Sequence, residues 1–210
     1  MAIEKVIIKN YRALKNVQIS FQDKINVIVG NNEAGKSTLF EAINLALRRQ
    51  LNKRDAQSEL HPYLFNKSTV EDYISNLKEG NKPEPPKIEI ELYLKDVDRF
   101  AGIKGTNNSL NQNVPGVFLS IHLDEENFSD EYKEYCSDAE RIKFIPIEFY
   151  KVSWKGFCGN DVSWRSIPIK SSLIDTASIS NTYSANKYIL ELIRDFLEKK
   201  EKVSLALSYR

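Results

Sequence analysis

Residues 30 to 38 read Gly-Asn-Asn-Glu-Ala-Gly-Lys-Ser-Thr and satisfy the spacing G-x-x-x-x-G-K-[ST] at every fixed position. Each residue type has a chemical reason. Gly30 and Gly35 are expected at positive φ, so that backbone N–H groups can turn toward phosphate oxygens that a larger side chain would block. Lys36 supplies a mobile ammonium that follows the β- and γ-phosphates and is the residue assigned a catalytic role. Ser37 offers a hydroxyl to a Mg²⁺ ion bridging those phosphates. Asn31, Asn32, Glu33 and Ala34 complete the loop around the anion, and Thr38 adds an α-phosphate contact. The implied ligand is a nucleoside triphosphate.

Such a loop works only between a strand and a helix. The apolar run Ile25-Asn26-Val27-Ile28-Val29 predicts the strand. From Lys36 onward, Leu39, Ile43 and Leu47 with Ala42 and Ala46 predict a helix whose N-terminal N–H groups and dipole point at the anion. Upstream, Val6-Ile7-Ile8 predicts a first strand, and Val17, Ile19 and Phe21 alternate with polar residues as a second. Residues 52–86 are polar and irregular, with a short helix near Val70–Leu77 and a break at Pro83-Glu84-Pro85-Pro86, and read as an insertion. Ile88, Ile90, Leu92 and Leu94, then Val117, Leu119, Ile121 and Leu123, alternate as antiparallel strands with one wet face do. The Asn-rich stretch Gly102–Gly116 between them reads as a mobile loop. Ile142–Val152 is a further strand region and Trp154–Ile169 is loop-rich. Ala185, Tyr188, Ile189, Leu192, Ile193, Phe196 and Leu197 keep a helical period behind Asn181 and Ser184, which suits either core packing or the start of a dimerisation arm.

Composition narrows the class. The chain has 210 residues, 41% of them hydrophobic, and a net charge of +1. That is enough to bury a core, and it argues against whole-surface attraction to nucleic acid. The local exception is Arg48, Arg49, Lys53 and Arg54 at the end of the loop-bearing helix, read either as a solvated face or as a phosphate-backbone contact. No run approaches the ~18 apolar residues of a membrane span, and no signal peptide is legible, so a cytoplasmic location without membrane contact is expected. Cys136 and Cys158 show no metal or redox spacing. Asp124 and Glu125, after a strand, are the only carboxylates resembling a metal-holding acid, and the polar Ser120 and His122 count against that role.

Ile7-Ile8-Lys9-Asn10-Tyr11-Arg12-Ala13-Leu14, followed by Ile25 to Ile43 with the loop inside it, resembles the head domains of RecF and structural-maintenance-of-chromosomes (SMC) ABC ATPases. Within that class the Asn-Glu-Ala-Gly-Lys-Ser-Thr wording and Ile174-Asp175-Thr176-Ala177-Ser178 are most similar to OLD-family (overcoming lysogenization defect) ATP-dependent nucleases. The resemblance implies an α/β P-loop NTPase of the ABC-ATPase head type, with a mixed or antiparallel β-lobe and a C-terminal helix beginning a dimerisation region. Residues 1–175 would be the N-terminal part of that ATPase domain and 176–210 the start of the dimerisation insertion. It implies ATP and Mg²⁺ as cofactors, with Gly30 to Thr38 on the triphosphate, Ser37 on the metal and Arg12 beside the nucleotide. Arg12 equally suits a surface arginine in a strand connection.

The same resemblance implies a homodimer or higher oligomer, DNA as the partner of the full-length protein, and an accessory defence protein or an RNA or DNA partner. The chain departs from the pattern in having no Gly-Gly signature, convincing second acidic strand, switch histidine or Toprim nuclease carboxylates. It is therefore expected to be truncated, with those parts beyond Arg210. Three readings remain: the ATPase part of an OLD-type anti-phage endonuclease, a RecF/SMC-like DNA-repair head without nuclease, and a stand-alone ATP-binding module.

Overall fold

In the computed structural model, residues 2–31, 34–163, 167, 169 and 201 are described. The alternating N-terminal runs pair as β1 (Ile3–Tyr11) and β2 (Leu14–Ser20), with Val6 opposite Ile19, Ile8 opposite Val17 and the turn closed at Tyr11 and Leu14. The strand expected over 25–29 does not join the sheet. Ile25, Val27 and Val29 are 83%, 78% and 85% exposed, and Ile28 is the apolar residue of this run that leans on the core. A strand is held by a hydrogen-bonded neighbour, and β1 is already paired on both edges, by β2 and by a later strand.

Helix α1 (Lys36–Arg48) buries Leu39, Ala42, Ile43, Ala46 and Leu47, the face its sequence period predicts, together with Leu45, which that period leaves out. It stops where Arg49 turns left-handed, at φ 55°. The two-residue strands β3 (Gln50–Leu51) and β4 (Arg54–Asp55) follow, joined by Asn52 and Lys53 at φ 50° and 66°. In the basic patch, Arg49 reaches Asp55 at 3.6 Å and Arg54 reaches Glu59 at 3.1 Å.

The stretch read as irregular is ordered and partly in the core. Ala56, Leu64 and Phe65 are buried, and Phe65 bridges to Tyr11. Asn66 then accepts a hydrogen bond from the Thr69 N–H at 3.3 Å and caps α2 (Lys67–Lys78), which starts three residues earlier than the apolar period suggested.

Beyond the prolines, β5 (Ile88–Leu94), the short β6 (Lys104–Gly105) and β7 (Val114–Leu123) extend the sheet. Helix α3 (Glu125–Ser137) has no counterpart in the sequence reading. The last strand, β8 (Tyr150–Gly156), is shorter than the expected 142–152 region and shifted later, because Pro146 and a 3-10 turn at Ile147–Phe149 precede it. Sheet order is β2-β1-β5-β7-β8, with β6 against the start of β7, and every pair is antiparallel. One apolar row, Val17–Ile8–Ile90–Leu119–Trp154, crosses all five long strands. Helix α1 packs beside it, and the Trp154 indole donates to the Ala46 carbonyl at 2.8 Å, tying β8 to the helix.

The outer face is not simply wet. Phe157 lies over Gly116, where a Cβ would come within 2.0 Å of its ring, and forms a second cluster with Ile7 and Tyr93. The Asn-rich loop is fastened there by the buried Glu91 carboxylate, which accepts from the Tyr93 hydroxyl at 2.6 Å and from Ser109 N and Oγ at 2.8 and 2.7 Å. Burial and then Glu91 push the Tyr93 phenol up to about 12, so it stays a donor. The expected C-terminal helix lies outside the described residues, as does Ile174–Ser178. No helix among the described residues is long and apolar enough to cross a membrane.

Glu91→Ala is expected to leave the Tyr93 hydroxyl and the Ser109 N–H and hydroxyl without their shared acceptor and to lower unfolding free energy by about 1–3 kcal/mol in urea titration. Glu91→Gln should cost less.

Candidate functional site

The phosphate-loop pattern begins in an exposed turn and ends in the first turn of α1. Gly35 is the helix N-cap at φ 83°, and a Cβ there would meet Leu14 Cδ2 at 2.9 Å. The glycine therefore serves both a left-handed backbone and close packing against the β1–β2 turn. Gly30 differs from expectation. It is not among the positive-φ glycines, and its constraint is space, with Ala34 Cβ 3.2 Å from where its own Cβ would be.

The Lys36 ammonium donates to the carbonyls of Gly30 and Asn31 at 2.7 and 2.6 Å, so it curls back over its own loop. Ser37 is exposed, Thr38 is half-buried, and among the described residues no side chain caps the helix or places an acid in its first turn. An uncapped helix N-terminus next to an ammonium and a free hydroxyl suits an anion and an oxygen-ligated cation. Asn32 and Glu33 lie outside the described residues.

Arg12 is brought to this helix by the turn that packs on Gly35. Its backbone is left-handed at φ 48°, an uncommon state for a side-chain-bearing residue, and three hydrogen bonds hold it there. Arg12 N donates to the Leu64 carbonyl at 2.8 Å, Asn66 Nδ2 to the Arg12 carbonyl at 2.7 Å, and Asn66 N to the Asn10 carbonyl at 2.9 Å. Its guanidinium meets Glu41 of α1 at 3.0 Å, and the same carboxylate oxygen accepts the buried Tyr11 hydroxyl. Burial, reinforced by Glu41, pushes the Tyr11 phenol far up, so it donates at any working pH.

Beside Arg12 and Thr38 opens a cleft of about 720 Å³. Val70 and Ile74 of α2 with Ile145 give it an apolar floor, while Lys67 and Lys143 add cations to Arg12. Its aromatic edge is Tyr63 and Phe144, 71% and 49% exposed, with ring centroids 5.9 Å apart in an edge-to-face arrangement. Exposed rings beside cations can hold a flat aromatic ligand that carries negative charge.

Asp124 is committed elsewhere. It pairs with Lys151 at 2.8 Å, accepts from Asn127 at 2.7 Å and precedes α3, and the hydrogen bond from Lys151 is the largest cause of a pKa below the usual carboxylate value. No cluster of three or more metal-ligating side chains occurs among the described residues.

These features define a P-loop ATPase head fold with mixed α/β content and an antiparallel sheet. A family model described as AAA domain matches residues 5–206, and the chain belongs to that family. Among curated relatives, the DNA replication and repair protein RecF of Bacillus mycoides (strain KBAB4) is 32% identical over 166 residues, covering 73% of this chain and 40% of its own length. RecF of Bacillus thuringiensis (strain Al Hakam) is 38% identical over 60 residues, 29% of this chain and 16% of that protein. The chain thus spans two fifths or less of these relatives. A solved structure from work on ATP-driven dimerization and DNA-stimulated activation of SMC ATPases aligns over 100% of both chains with a TM-score of 0.44 and 17% identity, a likeness too remote to bear on function.

Sequence reasoning left Arg12 between a place beside the nucleotide and a surface role, and did not single out Tyr11, Glu41, Tyr63 or Phe144. Glu41 had one legible signal, its position three residues after Thr38 on one helix face. The aromatic edge had none, because Tyr63 and Phe144 are 81 residues apart.

His61, near Arg12 and Glu41, has its pKa lowered by burial first and Arg12 second, and His122 by burial and Lys151. The unfolded chain takes up these protons near pH 6.5, before the native state does, so native stability should fall as pH drops below about 6.5. Melting temperatures from pH 7.5 to 5 should show this slope, and a His61→Gln, His122→Gln double variant should flatten it.

Proposed function

We propose that this chain binds ATP with Mg²⁺ as the ATPase head of a RecF/SMC-type DNA-repair protein. The observation that carries the reading is the uncapped start of α1, with Gly35, Lys36 and Ser37 presented beside Arg12 and an aromatic-edged cleft. Lys36 would exchange its two loop carbonyls for phosphate oxygens, and Ser37 would hold the metal. Mg²⁺, when bound, supplies charge neutralisation between the phosphates. The cleft beside Thr38 takes the nucleoside, its base against Tyr63.

The exposed apolar run Ile25, Val27 and Val29 is the place where further strands of an ATPase sheet would pair, since an unpaired apolar segment of this kind invites a partner. A homodimer acting on DNA, in the cytoplasm, follows from the same reading, which the RecF relatives support. The OLD-type anti-phage endonuclease is the second reading, favoured by the wording of the loop itself, Asn-Glu-Ala-Gly-Lys-Ser-Thr.

Titration with a fluorescent ATP analogue in Mg²⁺ should give saturable binding that Lys36→Ala abolishes while the melting temperature is kept. Unchanged binding in that variant would refute the site. Tyr63→Ala should weaken ATP by roughly tenfold, in line with the ~1–3 kcal/mol of base–aromatic stacking, and should leave inorganic triphosphate binding unaltered.

A further inference from the structure

We infer that Glu41 is a positioning residue for the nucleotide: it holds the Arg12 guanidinium at the mouth of the cleft beside Thr38, acting through Arg12 and not through the ligand. The inference rests on the ATP-site reading above and adds a residue to it. Thr38 and Glu41 are three residues apart on α1, so their side chains share a face about one turn apart. Thr38 lines the cleft. Glu41 instead turns to the β1–β2 connection, where one oxygen receives both the Tyr11 hydroxyl and the Arg12 guanidinium, the latter at 3.0 Å.

The two donors have different characters. Tyr11 is fully buried and fixed by its place in β1, so its hydroxyl anchors the carboxylate. Arg12 is 36% exposed at the side chain and lines the cleft. The left-handed backbone at Arg12, clamped by Leu64 and Asn66, sets where the side chain starts, and Glu41 sets where it ends. Arg12 Nε is buried without an acceptor among the described residues, so the guanidinium is oriented by its outer nitrogen on Glu41 and by the Tyr11 ring, whose centroid is 5.9 Å away. A long, flexible cation gains most from such an orienting partner.

The test is ATP affinity of the whole chain in Mg²⁺ for Glu41→Gln, Arg12→Ala and the double variant. Glutamine keeps an acceptor for Tyr11 and removes the charge facing Arg12. Glu41→Gln should weaken ATP three- to tenfold with little change in melting temperature, and should have no further effect once Arg12 is alanine. Tyr11→Phe, which frees the anchor, should give a smaller loss that also vanishes in the Arg12→Ala background. Equal or tighter binding by Glu41→Gln, or losses that multiply independently of Arg12, would overturn the inference. A wild-type chain that binds no ATP, or a Lys36→Ala variant that binds normally, would instead overturn the ATP-site reading on which it rests.

Discussion

Everything at the site depends on one close approach: the start of α1 touches the β1–β2 turn so tightly that Gly35 has no room for a Cβ against Leu14. The contact settles two matters at once. It fixes the left-handed entry that leaves the helix N-terminus open, and it brings Arg12, two residues before Leu14, alongside that helix. A side chain at position 35 would both strain the backbone and push the turn away, separating the loop from its arginine.

The rest of the fold holds that contact in place. The turn belongs to the hairpin that edges a six-stranded antiparallel sheet, and the apolar row from Val17 to Trp154 gives α1 a surface to lie on. At the far end of the helix the Trp154 indole takes the Ala46 carbonyl. The helix is thus located at both ends by groups from opposite edges of the sheet. On the other face Glu91 and Phe157 fasten a polar loop, so the sheet is shielded where a strictly alternating pattern suggested solvent.

Much of this architecture was legible in particular residues. The alternation Ile88-Ile90-Leu92-Leu94 matched an antiparallel strand because side chains in a strand repeat every two residues. The α1 period matched because the same apolar face that makes the helix amphipathic is the face it buries. Errors arose where a long-range partner decides. Ile25 to Val29 has a strand's composition and lacks a strand's neighbour among the described residues. Residues 56–66 look like loop by polarity, yet Leu64 and Phe65 enter the core because Tyr11 and Arg12 offer hydrogen bonds and a bridge from more than fifty residues away. The Asn-rich loop is ordered by a carboxylate that, in sequence, is only one polar residue of β5.

The phosphate-loop pattern is legible locally, since Gly35, Lys36, Ser37 and the helix after them lie within one stretch whose spacing carries its own geometry. The antiparallel strands are legible in the same way, through period-two alternation. What stands beside the loop emerges only from the folded chain: Glu41 and Tyr11 meeting Arg12, and Tyr63 and Phe144 edging the cleft. The physical reason is distance along the chain. Local patterns report the conformation of a segment, whereas a cleft is made by side chains that meet only after the sheet has brought remote segments together.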